Sequence, residues 1–419
     1  MNLVKRLREV RDHVMRQGLG DLLLLALFRW LIIPLGNACG IARYRLARLA
    51  ARRRGRQPLV LLGTIDLNFP YWQRMHHLAH ELARLDDVLY VTPGKGYDRF
   101  LGVGLVSEAI AVTNDFHAAA RCFPDAKFLI FSVDEELEER VAFLQERGAS
   151  IVYDYIDAMH EDVDRKAVSS QRLARHQAIL QDESIAVIST ARVLHEEVAR
   201  RRTRNFALIT NGVALEHYAP ARFRDLDAVS APFARLLEEG KPLFGFFGSL
   251  AVWLDYPLLI KAARLRPDYN WVLIGKRYDG AIARHAKDFP PNLIEHPRVS
   301  YAELPRYAAW FDACILPFVI NTVTDATSPL KIFEYMALGK PIISTNILEA
   351  RHYRSPLRAG TPEEFAAQAD AALALAHDAA YLALLREEAE QNSWRQKALD
   401  VQLLLQSSAP AAAKPRPGA

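Results

Sequence analysis

Lys331 and Glu334 are the charges on the helical part of an otherwise apolar segment, Thr327–Thr345 (TSPLKIFEYMALGKPIIST), and their spacing puts them side by side on one helix face. Ser328-Pro329 reads as the helix start, with Ser as N-cap and Pro in the first turn, where its missing N–H costs nothing. Gly339 suits a left-handed C-terminal cap, Pro341 follows it, and Ile342-Ile343-Ser344-Thr345 reads as a short buried strand. The chemistry on offer is anion binding. Free amides and the dipole at a helix N-terminus favour phosphate, Lys331 adds charge, and Glu334 can accept from sugar hydroxyls. A surface ion pair worth about 0.2–0.5 kcal/mol explains the same spacing, so both readings stand on residues alone.

Such a helix needs a sheet to hold it. Short apolar runs at 58–63, 88–91, 127–133, 151–153, 185–189 and 207–209 alternate with helical stretches, among them 72–85 with Met75, Leu78, Leu82 and Leu85 inward. The pattern restarts at 243–247 and continues at 271–274, 293–294, 313–316 and 341–344. Alternation of this kind predicts an α/β fold of two parallel sheets, with ligands gathering at strand C-terminal ends.

The run Pro329, Lys331, Glu334, Tyr335, Ala337, Gly339, Pro341 resembles the nucleotide-binding signature of GT-B glycosyltransferases, sugar transferases built of two Rossmann-like domains facing across a cleft. LITNGVALEHYAP (208–220) resembles the linker between the halves of that family, and FGFFGSLAVWLDYPLL (244–259) the opening strand and phosphate-approaching loop of the second half. WVLIGKR (271–277) and ELPRYAAWFDACILPF (303–318) follow in the expected order, so the resemblance covers roughly residues 58–405. GSLAVWLDY and TSPLKIFEY are most similar to the teichuronic-acid and capsule type. Many retaining members carry a Glu eight positions before Glu334; here that position is Ala326, beside Asp325 and Thr324, which leaves the stereochemistry open.

The resemblance implies donor binding by Gly248, Ser249, Lys276, Ser328, Lys331 and Glu334. Gly248-Ser249 would let amides approach a diphosphate, with a tight turn as the plainer explanation. Lys276 and Arg277 would neutralise a leaving nucleotide, or else be solvated. Asp157, in IVYDYIDAMHED (151–162), is the expected catalytic base that takes the acceptor hydroxyl's proton, with Asp154 second and a helix cap as the bland alternative. Arg74 and His76 lie on a polar helix face expected to line the acceptor side. His76 and His80 have the i, i+4 spacing of metal ligands without a visible third, so no metal and no cofactor is expected beyond a nucleotide-sugar donor, UDP-linked by preference.

Composition bounds the rest. The 419 residues, 51% hydrophobic with a net charge of +4, suffice for two cores, and the three scattered cysteines suggest neither zinc nor a disulfide framework. No G-x-G-x-x-G or Walker loop is present. Charge concentrates at the start: residues 1–57 carry thirteen Lys or Arg against three acids, while the remainder has 40 basic against 46 acidic groups. Within that head, DLLLLALFRWLIIPLG (21–36) is short for a membrane span and broken by Arg29. An in-plane helix on the anionic inner leaflet, a packing arm and a true span are the alternatives, the first preferred. Arginines interleaved with Leu and Ala rather than stacking aromatics argue against nucleic acid.

The sequence therefore predicts a basic extension (1–57), a first Rossmann-like acceptor domain (58–215), a second nucleotide-sugar domain (216–385), a helix crossing back (386–406) and a disordered tail (407–419). It predicts a cytoplasmic glycosyltransferase, peripheral to the inner membrane, acting on a lipid-linked or growing surface glycan. A sugar-nucleotide epimerase and a non-catalytic membrane adaptor are the alternatives.

Overall fold

The computed structural model describes residues 58–98, 102–159, 169–218 and 224–407, with isolated positions between 31 and 42. The membrane-facing reading of 1–57, the tail beyond Ser407, and His160, Glu161 and Asp162 lie outside the described residues, those isolated positions apart.

The apolar runs become two sheets. The first holds β1 (Pro58–Leu62), β2 (Asp87–Val91), β3 (Val103–Leu105), β4 (Ile110–Thr113), β5 (Lys127–Phe131), β6 (Ser150–Tyr155), β7 (Ala186–Ser189) and β8 (Phe206–Leu208). Its order is β3-β4-β2-β1-β5-β6-β7-β8, parallel except for the β3–β4 edge pair. The second holds β9 (Leu243–Phe247), β10 (Asn270–Ile274), β11 (Leu293–His296), β12 (Ala313–Leu316), β13 (Ile342–Thr345) and β14 (Leu357–Ala359), all parallel in the order β11-β10-β9-β12-β13-β14. Central strands such as β2 and β9 are buried along their whole length, which is why they read as unbroken apolar runs.

Each sheet has one place where the chain reverses its direction of travel. In the first, β1 is followed outward by β2 on one side and β5 on the other; in the second, β9 stands between β10 and β12. Loops at the C-terminal ends of β1 and β9 therefore flank the crevices where open α/β sheets bind ligands.

Two crossings join the halves, and they are bonded to each other. Val213 N–H donates to Asn392 O (2.9 Å) and Trp394 N–H to Val213 O (3.0 Å). After the second crossing the helix Trp394–Ser407 lies on the first sheet, with Trp394, Ala398, Val401, Leu404 and Leu405 buried among Leu59, Leu61, Leu78 and Ile188. The helix Ala379–Gln391 stays with the second half, so the break falls at Asn392-Ser393. Gly212 permits the close approach: a Cβ there would stand 2.6 Å from Asn392 O.

Candidate active site

The helix Leu330–Leu338 presents Lys331 and Glu334 as neighbours, Nζ to Oε2 at 2.5 Å. Glu334 is buried and Lys331 one-fifth exposed, so this pair is a partly enclosed feature and not a solvated surface bridge. Lys331 Nζ lies 4.8 Å from the centroid of the Phe247 ring, at the end of β9. Gly248 follows with φ +152, and a Cβ on it would meet Lys331 Cε at 3.1 Å; the lysine stem runs against the glycine. The strand end, the glycine turn and the charged pair are thus one structure.

The turn is held from its other side. Gly248 N–H donates to Ile274 O (3.0 Å), Leu250 N–H to Lys276 O (2.9 Å) and Tyr278 N–H to Leu250 O (3.0 Å), which zips the loop after β9 to the loop after β10. Ser249 and Lys276 are exposed on this rim. Arg277 is engaged elsewhere, in a two-pronged bond with Glu295 at 2.7 Å.

Residues 241–378 match the family described as glycosyl transferases group 1. This stretch is a group 1 glycosyltransferase domain. The chain is also similar to TuaH of Bacillus subtilis (strain 168), a protein assigned to teichuronic acid biosynthesis as a glycosyltransferase, at 27% identity over 241 residues. That match spans 55% of this chain and 57% of the relative's own length. Among solved structures, sucrose-phosphate synthase from Thermosynechococcus elongatus superposes with a TM-score of 0.59 at 17% identity, over 84% of this chain and 98% of the other. Anabaena Alr3699/HepE in complex with UDP gives 0.58 at 13% identity, over 84% and 100%. The E. coli trehalose-6-phosphate protein bound with UDP-2-fluoro glucose gives 0.62 at 12%, over the same shares. The fold is GT-B.

Several site residues in the two halves lie elsewhere than the sequence led us to expect. Ser328 is not the N-cap; Pro329 is, and the Ser328 hydroxyl accepts from Asn211 N–H (3.2 Å) while its carbonyl accepts from Asn211 Nδ2 (2.7 Å). Buried at 2% exposure, Ser328 ties the linker to the donor-side helix and has no free face for a ligand. Arg74 and His76 are corrected likewise. Arg74 donates to Asp154 Oδ2 (2.8 Å), Thr210 O (3.0 Å) and Asn211 Oδ1 (3.3 Å) from the interior. His76 Nδ1 accepts from Gln73 N–H (2.9 Å), so Nε2 carries the proton toward Asp66 O (3.0 Å). With both nitrogens used and no exposed surface, His76 is part of the loop scaffold.

Asp154, the second choice for the base, is consumed by Arg74 and fully buried. Asp157 lies two residues beyond β6, half-buried, in the turn whose Ile156 N–H donates to Ser132 Oγ (3.1 Å). Ala158 and Met159 pack against the apolar cluster that also buries Ala326, so the Asp157 turn and the start of the donor-side segment share a boundary. Ala326 itself is 2% exposed, and Asp325 is occupied in accepting from Leu348 N–H (2.9 Å).

Sequence reasoning missed the rings around Glu334. His217 stacks on Tyr301 at 3.8 Å with planes 6° apart, and His77 faces Tyr301 edge-on at 6.4 Å. Burial lowers the His217 pKa, opposed by the Glu334 carboxylate. His217 sits inside the linker motif, which was the available signal. Among the described residues no three His, Cys, Asp or Glu side chains gather as a metal site would need.

Proposed function

We propose that this chain transfers a sugar from a nucleotide sugar, UDP-linked by preference, to a lipid-linked or growing cell-surface polysaccharide. The observation that carries the reading is the fusion of Lys331, Glu334 and Gly248 into one partly enclosed anion-binding corner at the second sheet's reversal point. Gly248, Ser249, Lys276 and Lys331 meet the diphosphate, Glu334 accepts from hydroxyls of the nucleotide sugar, and Asp157 takes the acceptor's proton. Diphosphate charge is met by amides and Lys331 without a metal. The teichuronic-acid assignment of the TuaH relative supports a wall-polymer acceptor. The basic residues 1–57 support attachment to the anionic inner face of the membrane. Among the described residues no helix is long and apolar enough to cross a membrane.

The test is thermal stabilisation by UDP, GDP, dTDP, CMP and AMP, repeated with Glu334→Ala. One nucleoside diphosphate at about 100 times its Kd should add about 2.7 kcal/mol of stability. That gain should vanish in the variant. Ala326, buried where a carboxylate would stand in many retaining relatives, favours a second reading as a non-catalytic adaptor. No stabilisation by any nucleotide would decide for it.

A further inference from the structure

We propose that the loops after β1 and β2 form a stacking platform for a sugar ring of the acceptor, so that the group receiving the transferred sugar is itself a glycan. This rests on the glycosyl-transfer reading above and adds where the acceptor binds and that its sugar, not a lipid chain, is the part recognised there.

Phe69, Tyr71, Trp72 and Tyr97 stand on these two loops, at the first sheet's reversal point. Phe69 meets Tyr71 at 5.5 Å and Tyr97 at 5.2 Å, both edge-on. Tyr97 is 54% exposed, and Phe69, Tyr71 and Trp72 are half-buried, so each keeps surface toward solvent. Exposed Asn68 and Gln73 flank the stretch that carries Phe69, Tyr71 and Trp72.

The loops are fixed to each other by two carboxylates. Asp66 accepts from Lys95 N–H and Tyr97 N–H (2.8 Å each) and from the Thr92 hydroxyl (3.0 Å). Asp98 returns the tie by accepting from Leu67 N–H (2.6 Å) and Asn68 N–H (2.9 Å). Both aspartates are buried, so the rings are held in place before any ligand arrives.

The platform is continuous with the donor side. Arg298 of the second half lies 4.6 Å over the Tyr71 ring. Trp72 touches His77 (5.2 Å), His77 faces Tyr301, and Tyr301 stacks on His217 beside Glu334. A pyranose presents one face of C–H groups that packs on aromatic rings and a rim of hydroxyls that needs amide and guanidinium partners. The loops supply the rings and the amides of Asn68 and Gln73, and Arg298 of the second half supplies the guanidinium. A lipid chain requires unbroken apolar surface, and Asn68, Gln73, Lys95 and Arg298 interrupt it here.

The test is saturation-transfer NMR on the full chain with methyl glycosides of glucose, galactose, N-acetylglucosamine and glucuronic acid, with UDP in the same sample. At least one glycoside should receive saturation, strongest on the protons of its apolar face. Trp72→Ala and the exposed-site variant Tyr97→Ala should reduce that signal about tenfold while UDP transfer persists. UDP signal without any glycoside signal, or glycoside signal unchanged in Tyr97→Ala, overturns the platform. Glycoside signal lost in the variants with no nucleotide signal at all keeps the platform and removes the transferase reading.

Discussion

Gly275→Ala should break the donor corner without replacing any residue proposed to contact the ligand. A Cβ at Gly275 would stand 1.8 Å from Gly248 O and 3.2 Å from Leu250 Cγ, and backbone cannot swing aside as a side chain can. The loop after β9 must move by about 1 Å in a close-packed layer. That displacement strains the bonds from Gly248 to Ile274, Leu250 to Lys276 and Tyr278 to Leu250 together. At about 1 kcal/mol net for each, the loss of stability is about 2–4 kcal/mol. It also carries Gly248 away from Lys331. Urea denaturation gives the stability and the nucleotide-induced shift in Tm gives the site. Gly280→Ala is the control, because its nearest neighbour is Arg284 Nη1 at 3.8 Å and the change should stay within about 0.5 kcal/mol. A Gly275→Ala protein as stable as the control, with its nucleotide shift intact, refutes the reasoning.

Arg74→Met leaves Asp154 buried and unpaired, and urea denaturation should report a loss of about 3–5 kcal/mol. Burial, then neighbouring His76 and His217, pushes the His77 pKa down from 6.5 to about 3. The unfolded chain therefore binds the extra proton first as pH falls below 6.5, and stability drops. Between pH 6.5 and 5 the wild type should lose about 2 kcal/mol more than His77→Phe, which keeps the ring stacked on Trp394; parallel curves contradict this. Lys397, buried and bonded to Asn392 Oδ1 (2.8 Å), has its pKa lowered by burial to about 8. Its folded form sheds the proton first, so stability rises as pH passes from 8 toward 10. Lys397→Met should remove on the order of 2 kcal/mol of that rise, measured as the difference between the two denaturation profiles.

What the sequence made legible was local. The strands β9 and β12 and the Gly339 cap, with φ +65, lie where apolar runs and a glycine alone require them. Lys331 and Glu334 could be read because helix periodicity makes them neighbours. β3 and β14 escaped because three residues at a sheet edge, with Gly104 or exposed Arg358 among them, carry almost no periodic signal. Arg74 read as part of a polar helix face lining the acceptor side because its partner, Asp154, is 80 positions away and only the fold brings them together. Ser328 was misread for the same reason: Asn211, far upstream, claims its hydroxyl. The aromatic loops of the first half, tied by Asp66 and Asp98 across some thirty residues, likewise have no contiguous motif.

Release of nucleoside diphosphate from its sugar conjugate, in the presence of membranes bearing acceptor, tests the central claim most directly. The wild type should turn over, Glu334→Ala should fail to bind, and Asp157→Asn should bind the nucleotide yet turn over about 10²–10⁴-fold more slowly. No release from any nucleotide sugar by the wild type, or turnover by Asp157→Asn at the wild-type rate, would contradict it.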